Sequence, residues 1–133
     1  MIRLILGGAR SGKSRYAEKL ASDGGKAVLY ITTAQAYDDE MQTRISHHKK
    51  QRPATWVTIE ETVKIDKVLS DNSSITNCIL IDCLTLWLTN LLCENHDIMT
   101  AKQELLDALC QSESEIILVS NETGMGVVPM GEL

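Results

Sequence analysis

Eight residues near the N-terminus have the types and the spacing of a phosphate-binding loop. They are Gly7, Gly8, Ala9, Arg10, Ser11, Gly12, Lys13 and Ser14, which follow the pattern of glycine, four residues and Gly-Lys-Ser. The glycines leave room for backbone N–H groups to face phosphate oxygens. Lys13 can offer its cation to the β- and γ-phosphates, and the Ser14 hydroxyl can ligate Mg²⁺. The pattern therefore predicts a nucleotide site.

A second candidate for phosphate chemistry is Asp82, which follows the apolar run 78–81. A carboxylate at the carboxyl end of a buried parallel strand can hold Mg²⁺ opposite a phosphate loop. Aspartate is also a favoured helix N-cap, so capping of the next helix stays open for Asp82. Asn121 and Glu122 follow the apolar run 116–120. They could orient a substrate hydroxyl or a metal-bound water, or form a turn.

A histidine pair, His47 and His48, lies in the basic segment 44–53. On a helix, Met41, Ile45 and His48 share one face, so His47 points elsewhere. Neighbouring cations favour the neutral imidazole, which is a usable nucleophile. From the spacing alone, a solvated basic helix face is the favoured interpretation of the segment, and a nucleophilic His47 stays open as the alternative.

These residues must be positioned by alternating strands and helices. The hydrophobic patterns predict strands at 2–6, 26–32, 55–59, 78–82 and 116–120, and helices at 15–22, 38–51, 61–69, 84–93 and 97–111. Such alternation is typical of an α/β fold. We predict a P-loop NTPase-like fold with a mainly parallel central sheet, helices on both faces, and a single domain over residues 1–133.

Composition narrows the class of protein. The 133 residues are 44% hydrophobic and 23% charged, as in soluble globular proteins. A net charge of −5 without a basic stripe argues against a nucleic-acid surface. No apolar stretch reaches the length of a membrane span and no secretory leader is visible, which predicts a cytoplasmic protein. No two of the four cysteines have the Cys-x-x-Cys spacing, so we predict that the cysteines are buried, reduced thiols.

Several motifs occur together in this chain. They are GGARSGKS at 7–14, YITT at 30–33, DDEM at 38–41, RISHHK at 44–49, Arg52-Pro53 with Trp56, LIDCLTLWLTNLL at 80–92 and NETGMGVVP at 121–129. In these motifs and their order, the chain resembles the bifunctional adenosylcobinamide kinase / adenosylcobinamide-phosphate guanylyltransferase family of cobalamin biosynthesis. The resemblance implies two reactions. A nucleoside triphosphate phosphorylates adenosylcobinamide, and GTP then guanylylates a histidine that passes GMP to adenosylcobinamide phosphate.

The resemblance also implies roles for particular residues. The nucleophile is the first histidine of the pair, which is His47, and Lys13 serves the kinase step. The guanine-nucleotide site would include Thr32, Thr33, Ala34, His48, Lys49, Lys50, Gln51, Asp82 and either Glu60 or Glu61. Mg²⁺ at Ser14 and Asp82 is the expected cofactor, with GTP and ATP as substrates. The expected partners are a small-molecule corrinoid and two further copies of the chain in a trimer.

Members of that family continue beyond the NETGMGVVP segment with a further helix and strand, whereas this sequence ends at Leu133. Two alternatives to the bifunctional enzyme therefore stay open. One is a simple phosphate-loop kinase for a small molecule, without a covalent intermediate and with His47 on a solvated face. The other is a non-catalytic remnant that binds GTP.

Overall fold

A parallel sheet forms the centre of the computed structural model, which describes residues 1–7, 12–34 and 52–120 together with the backbone of Asn121. Its strands are β1 (Ile2–Gly7), β2 (Ala27–Thr32), β3 (Val57–Glu60), β4 (Asn77–Asp82) and β5 (Glu115–Asn121). The helices in the described ranges are α1 (Lys13–Asp23), α2 (Ile65–Asp71), α3 (Leu84–Cys93) and α4 (Ile98–Gln111). The strand order is β1-β5-β4-β2-β3, and each neighbouring pair is parallel. The predicted α/β fold with a parallel sheet is confirmed.

Helices cover both faces of the sheet because its inner strands are apolar on both sides. In β2, Val28 and Tyr30 pack in a cluster with Ala17 of α1. Leu29 and Ile31 lie on the opposite face, in a cluster supplied by the other three helices. Each large apolar side chain buried in this way contributes about 1.5–3 kcal/mol relative to exposure. The small alanine side chain lets α1 lie close to the strands that carry the candidate site.

The predicted ends of several elements need correction. α2 begins at Ile65 rather than at residue 61, because the Glu61 carboxylate accepts the backbone N–H groups of Val63 and Lys64 and forms a turn there. The strand predicted at 55–59 is β3, Val57–Glu60. The helix predicted at 38–51 lies outside the described residues.

The cysteines are free thiols, in agreement with the prediction. Cys78 and Cys83 are buried, and burial raises the pKa of the Cys78 thiol to about 11. The prediction of burial is wrong for Cys93 and Cys110, which are exposed. Both lie on helices at the surface of the fold, where apolar neighbours in the sequence do not ensure burial.

The carboxyl ends of the parallel strands meet at one edge of the sheet. β1 ends at Gly7, β2 at Thr32, β3 at Glu60 and β4 at Asp82. α1 also begins at this edge, shortly after β1. Open α/β sheets bind ligands at this edge. None of the helices in the described part of the chain is long and apolar enough to cross a membrane.

Candidate active site

The start of α1 has the geometry that a phosphate loop requires. Gly12 is its N-cap and has φ +79°, a left-handed conformation that favours glycine. The N–H of Tyr16 donates to the Gly12 carbonyl at 3.0 Å, which closes the first helical turn. The first turn of an α-helix offers N–H groups that can bind phosphate, so the start of α1 is suited to this role. Residues 8–11 of the loop lie outside the described residues.

Two hydroxyl groups converge on the Asp82 carboxylate. Ser14 Oγ donates to Asp82 Oδ2 at 3.1 Å, and the Tyr30 hydroxyl donates to the same oxygen at 2.7 Å. Ser14 is the last residue of the phosphate loop, so this contact joins the loop to β4. The structure thus brings together the two residues that the sequence predicted to hold Mg²⁺.

The register of the sheet places three predicted site residues in one row. Thr32 pairs with Glu60 on one side and with Asp82 on the other. Paired residues of parallel strands share a face, and Tyr30, two residues before Thr32, lies on the face that packs against α1. The side chains of this row therefore lie on the same side of the sheet as α1.

The Thr33 hydroxyl, in contrast to the side chains of this row, is buried in the protein interior. Its side chain is fully buried, and its Oγ1 donates to the Cys83 carbonyl at 2.8 Å and accepts the Cys83 N–H at 3.0 Å. The Asn90 amide donates to the Thr33 and Thr62 carbonyls at 2.9 and 3.0 Å. Thr33 therefore holds the backbone next to Asp82, a role that the sequence pattern did not indicate.

The alternative role of Asp82 as a helix cap is not seen. Cys83, and not Asp82, is the N-cap residue of α3. The Asp82 carboxylate is directed to Ser14 and Tyr30. Its position at the end of β4 therefore serves the site at the sheet edge.

Arg52 and Trp56 complete this side of the site. The Arg52 guanidinium carbon lies 3.8 Å from the centre of the Tyr30 ring, and the Tyr30 and Trp56 rings stack with centres 6.5 Å apart. Arg52 is 8% exposed, and its Nε has no hydrogen-bond partner among the described residues. Tyr30 was not predicted as a site residue from the chemistry of its side chain, whereas the charge of Arg52 made it a candidate for offsetting triphosphate charge. The available signal was that Tyr30 precedes Thr32 by two residues on a strand, which places both on one face.

The donor set at the sheet edge fits a magnesium ion that also binds phosphate oxygens. Ser14 and Asp82 offer hard oxygen atoms, and Mg²⁺ commonly takes one or two protein ligands and completes its shell with water and substrate phosphates. Within the described ranges, no group of three or more His, Cys, Asp or Glu side chains is placed to hold a metal. Ser14 and Asp82 therefore offer two hard oxygen ligands that such a cation could use.

Of the two candidate glutamates, Glu61 uses its carboxylate for the turn before α2. Glu60 is exposed at the end of β3. The remaining predicted site residues lie outside the described residues: Gly8, Ala9, Arg10, Ser11, His47, His48, Lys49, Lys50, Gln51 and Glu122.

A family model described as cobinamide kinase / cobinamide phosphate guanyltransferase matches residues 3–133. The chain belongs to this family. Membership identifies it as an enzyme of the transferase class with a kinase and a guanylyltransferase activity. The resemblance read from the motifs is confirmed.

Curated relatives agree with the family match. The chain is 55% identical over 132 residues to the bifunctional adenosylcobalamin biosynthesis protein CobP of Pseudomonas aeruginosa, covering 98% of this chain and 76% of that protein. It is 38% and 41% identical to the bifunctional adenosylcobalamin biosynthesis proteins CobU of Escherichia coli and Salmonella typhimurium, covering 81% of each. Among solved structures, the RadB recombinase aligns with a TM-score of 0.54 and 14% identity, over 90% of this chain and 60% of that one. This likeness concerns the fold and supports the predicted P-loop NTPase-like architecture.

Proposed function

We propose that this member of the family phosphorylates adenosylcobinamide with a nucleoside triphosphate and then transfers GMP from GTP, through a guanylylated His47, to adenosylcobinamide phosphate. The observation that carries the proposal is the contact between Ser14 and Asp82 at the carboxyl edge of the sheet, where Ser14 Oγ lies 3.1 Å from Asp82 Oδ2. Together with Lys13 and the start of α1, it forms a centre for phosphate chemistry in a chain whose family has both activities.

In the kinase step, the oxygen of the substrate hydroxyl attacks the γ-phosphorus and its proton passes to solvent. The bond from that phosphorus to the leaving nucleoside diphosphate breaks. Such transfers depend on positioning and charge neutralisation more than on covalent catalysis. The Lys13 ammonium and the N–H groups of the first turn of α1 would hold the phosphate oxygens. Mg²⁺, at Ser14 and Asp82, would neutralise phosphate charge when bound.

In the transferase step, an imidazole nitrogen of His47 attacks the α-phosphorus of GTP and pyrophosphate leaves. A phosphate oxygen of adenosylcobinamide phosphate then attacks the same phosphorus, the P–N bond breaks, and adenosylcobinamide-GDP forms. A covalent intermediate divides one difficult transfer into two simpler displacements. Because the Glu61 carboxylate is engaged in a turn, Glu60 is the better candidate for a contact with the guanine nucleotide.

The test is a labelling experiment with α-labelled GTP and Mg²⁺ on the wild type, His47→Ala and His96→Ala. His96 is the matched control because its side chain is 39% exposed and lies beside Glu94, away from the phosphate centre. We expect acid-labile, alkali-stable label on the wild type and on His96→Ala, and none on His47→Ala. Label retained by His47→Ala would refute the role of His47. Bound GTP without any label would favour the simple kinase.

We further propose that the protein forms a homotrimer, as the resemblance implies, and that it acts in the cytoplasm. Light scattering coupled to size-exclusion chromatography measures the mass of the particle directly. A mass three times that of the 14.7 kDa chain is the expected result. A stable monomer or dimer at micromolar concentration would contradict the trimer.

A further inference from the structure

Tyr30 contacts the Asp82 carboxylate because of the register of β2 and β4. Tyr30 pairs with Leu80, and Thr32 pairs with Asp82, so Tyr30 and Asp82 are diagonal neighbours on one face. The Tyr30 side chain is 5% exposed, and its hydroxyl donates to Asp82 Oδ2 at 2.7 Å. A short hydrogen bond from a buried donor to a carboxylate is among the stronger polar contacts in proteins.

The Tyr30 ring is itself held in place from outside the strand. The Arg52 guanidinium lies over the ring at 3.8 Å, and the Trp56 ring stacks at an interplanar angle of 23°. A cation over an aromatic face is attracted by the ring quadrupole, most strongly where water is excluded. The ring therefore has little freedom to turn its hydroxyl away from Asp82.

The hydroxyls of Ser14 and Tyr30 bind the same oxygen of the Asp82 carboxylate. Ser14 and Tyr30 both donate to Asp82 Oδ2, and Oδ1 accepts no hydrogen bond from the described residues. The serine oxygen keeps lone pairs for a cation while it donates its proton to Asp82.

We propose that Tyr30 is a positioning residue that fixes the orientation of the Asp82 carboxylate, which would help to hold the magnesium ion of a bound nucleotide. This inference rests on the proposed nucleotide and magnesium site. Tyr30 does not contact substrate in this proposal. Tyr30 acts through Asp82, so its replacement changes only the part of nucleotide binding that depends on magnesium.

The test compares Tyr30→Phe with Tyr16→Phe, a matched control whose ring is 55% exposed on α1. A non-hydrolysable GTP analogue is titrated at fixed concentration with increasing Mg²⁺, and binding is also measured in EDTA. Tyr30→Phe loses the hydrogen bond to the charged Asp82 carboxylate. We therefore expect this variant to need about tenfold more Mg²⁺ for half-maximal binding of the analogue. Affinity in EDTA should match the wild type, because the phenylalanine ring still packs under Arg52. Tyr16→Phe should match the wild type in both conditions.

A double-mutant cycle with Asp82→Asn separates positioning from a general structural effect. If Tyr30 acts through Asp82, Tyr30→Phe adds no further change in Mg²⁺ requirement to Asp82→Asn. An unchanged Mg²⁺ requirement in Tyr30→Phe, or an equal loss of affinity in EDTA, would overturn the inference while leaving the nucleotide site intact. Failure of the wild type to bind the analogue in either condition would overturn the proposed function, and this inference with it.

Discussion

At the scale of single residues, the candidate site depends on side chains that support others. The Asp82 carboxylate receives the hydroxyls of Ser14 and Tyr30, and the backbone after Asp82 is held by the buried Thr33 hydroxyl. The Asn90 side-chain amide in turn donates a hydrogen bond to the backbone carbonyl of Thr33. Buried polar groups of this kind are favourable when each has a partner and costly when one partner is removed.

Replacing Asn90 with leucine should therefore destabilise the fold. Asn90 is 3% exposed, and its amide satisfies the carbonyls of Thr33 and Thr62. With both acceptors left unsatisfied, we expect the free energy of unfolding to fall by about 2–4 kcal/mol. Urea denaturation measures the change. Gln111→Leu, at the exposed end of α4, is the control and should stay within about 0.5 kcal/mol of the wild type. Equal stability of Asn90→Leu and the wild type would contradict this account.

At the scale of elements, α4 shows how a local sequence signal sets a helix boundary. Asp97 is its N-cap, and its carboxylate accepts the Thr100 hydroxyl at 2.7 Å and the Met99 N–H at 3.1 Å. These hydrogen bonds, that of Thr100 above all, lower the pKa of Asp97 below its ordinary value. The cap therefore stabilises the helix most when Asp97 is ionised.

Asp97→Ala should lower the melting temperature at neutral pH, since the first turn of α4 loses its acceptor. The pKa of Asp97 is lower in the folded state than in the unfolded state, so the stabilisation by the carboxylate is present above the unfolded value. It is lost as the pH falls through the folded value. The difference in melting temperature between variant and wild type should shrink over that acidic range. Asp107→Ala, an exposed acid inside the same helix, should show no such pH-dependent difference. A difference for Asp97→Ala that stays constant with pH would be evidence against the cap.

At the scale of the whole molecule, the site joins parts of the chain that are distant in sequence. Ser14 belongs to α1, Tyr30 to β2 and Asp82 to β4, and these two strands are paired inside a five-stranded sheet. A ligand that binds all of these parts in the folded state alone must stabilise the fold as a whole.

A non-hydrolysable GTP analogue with Mg²⁺ should accordingly raise the free energy of unfolding. At about 100 times the dissociation constant the expected gain is ~2.7 kcal/mol, seen as a higher melting temperature. Ser14→Ala should lose most of the part of this gain that depends on Mg²⁺, because the variant lacks the hydroxyl ligand. Ser22→Ala, on the exposed last turn of α1, is the matched control. A full magnesium-dependent gain in Ser14→Ala would exclude Ser14 from the cation site.

The sequence by itself determined the phosphate loop, the alternation of strands and helices, and the position of Asp82 at a strand end. These follow from local rules, because glycine spacing and hydrophobic period act within a few residues. The roles of Tyr30, Thr33 and Asn90 were decided by the tertiary structure. Each of these roles depends on the register between strands or on a helix packed against the strands. Strand register and helix packing are not encoded at short range in the chain. That long-range pairing turns separate polar side chains into one arranged site.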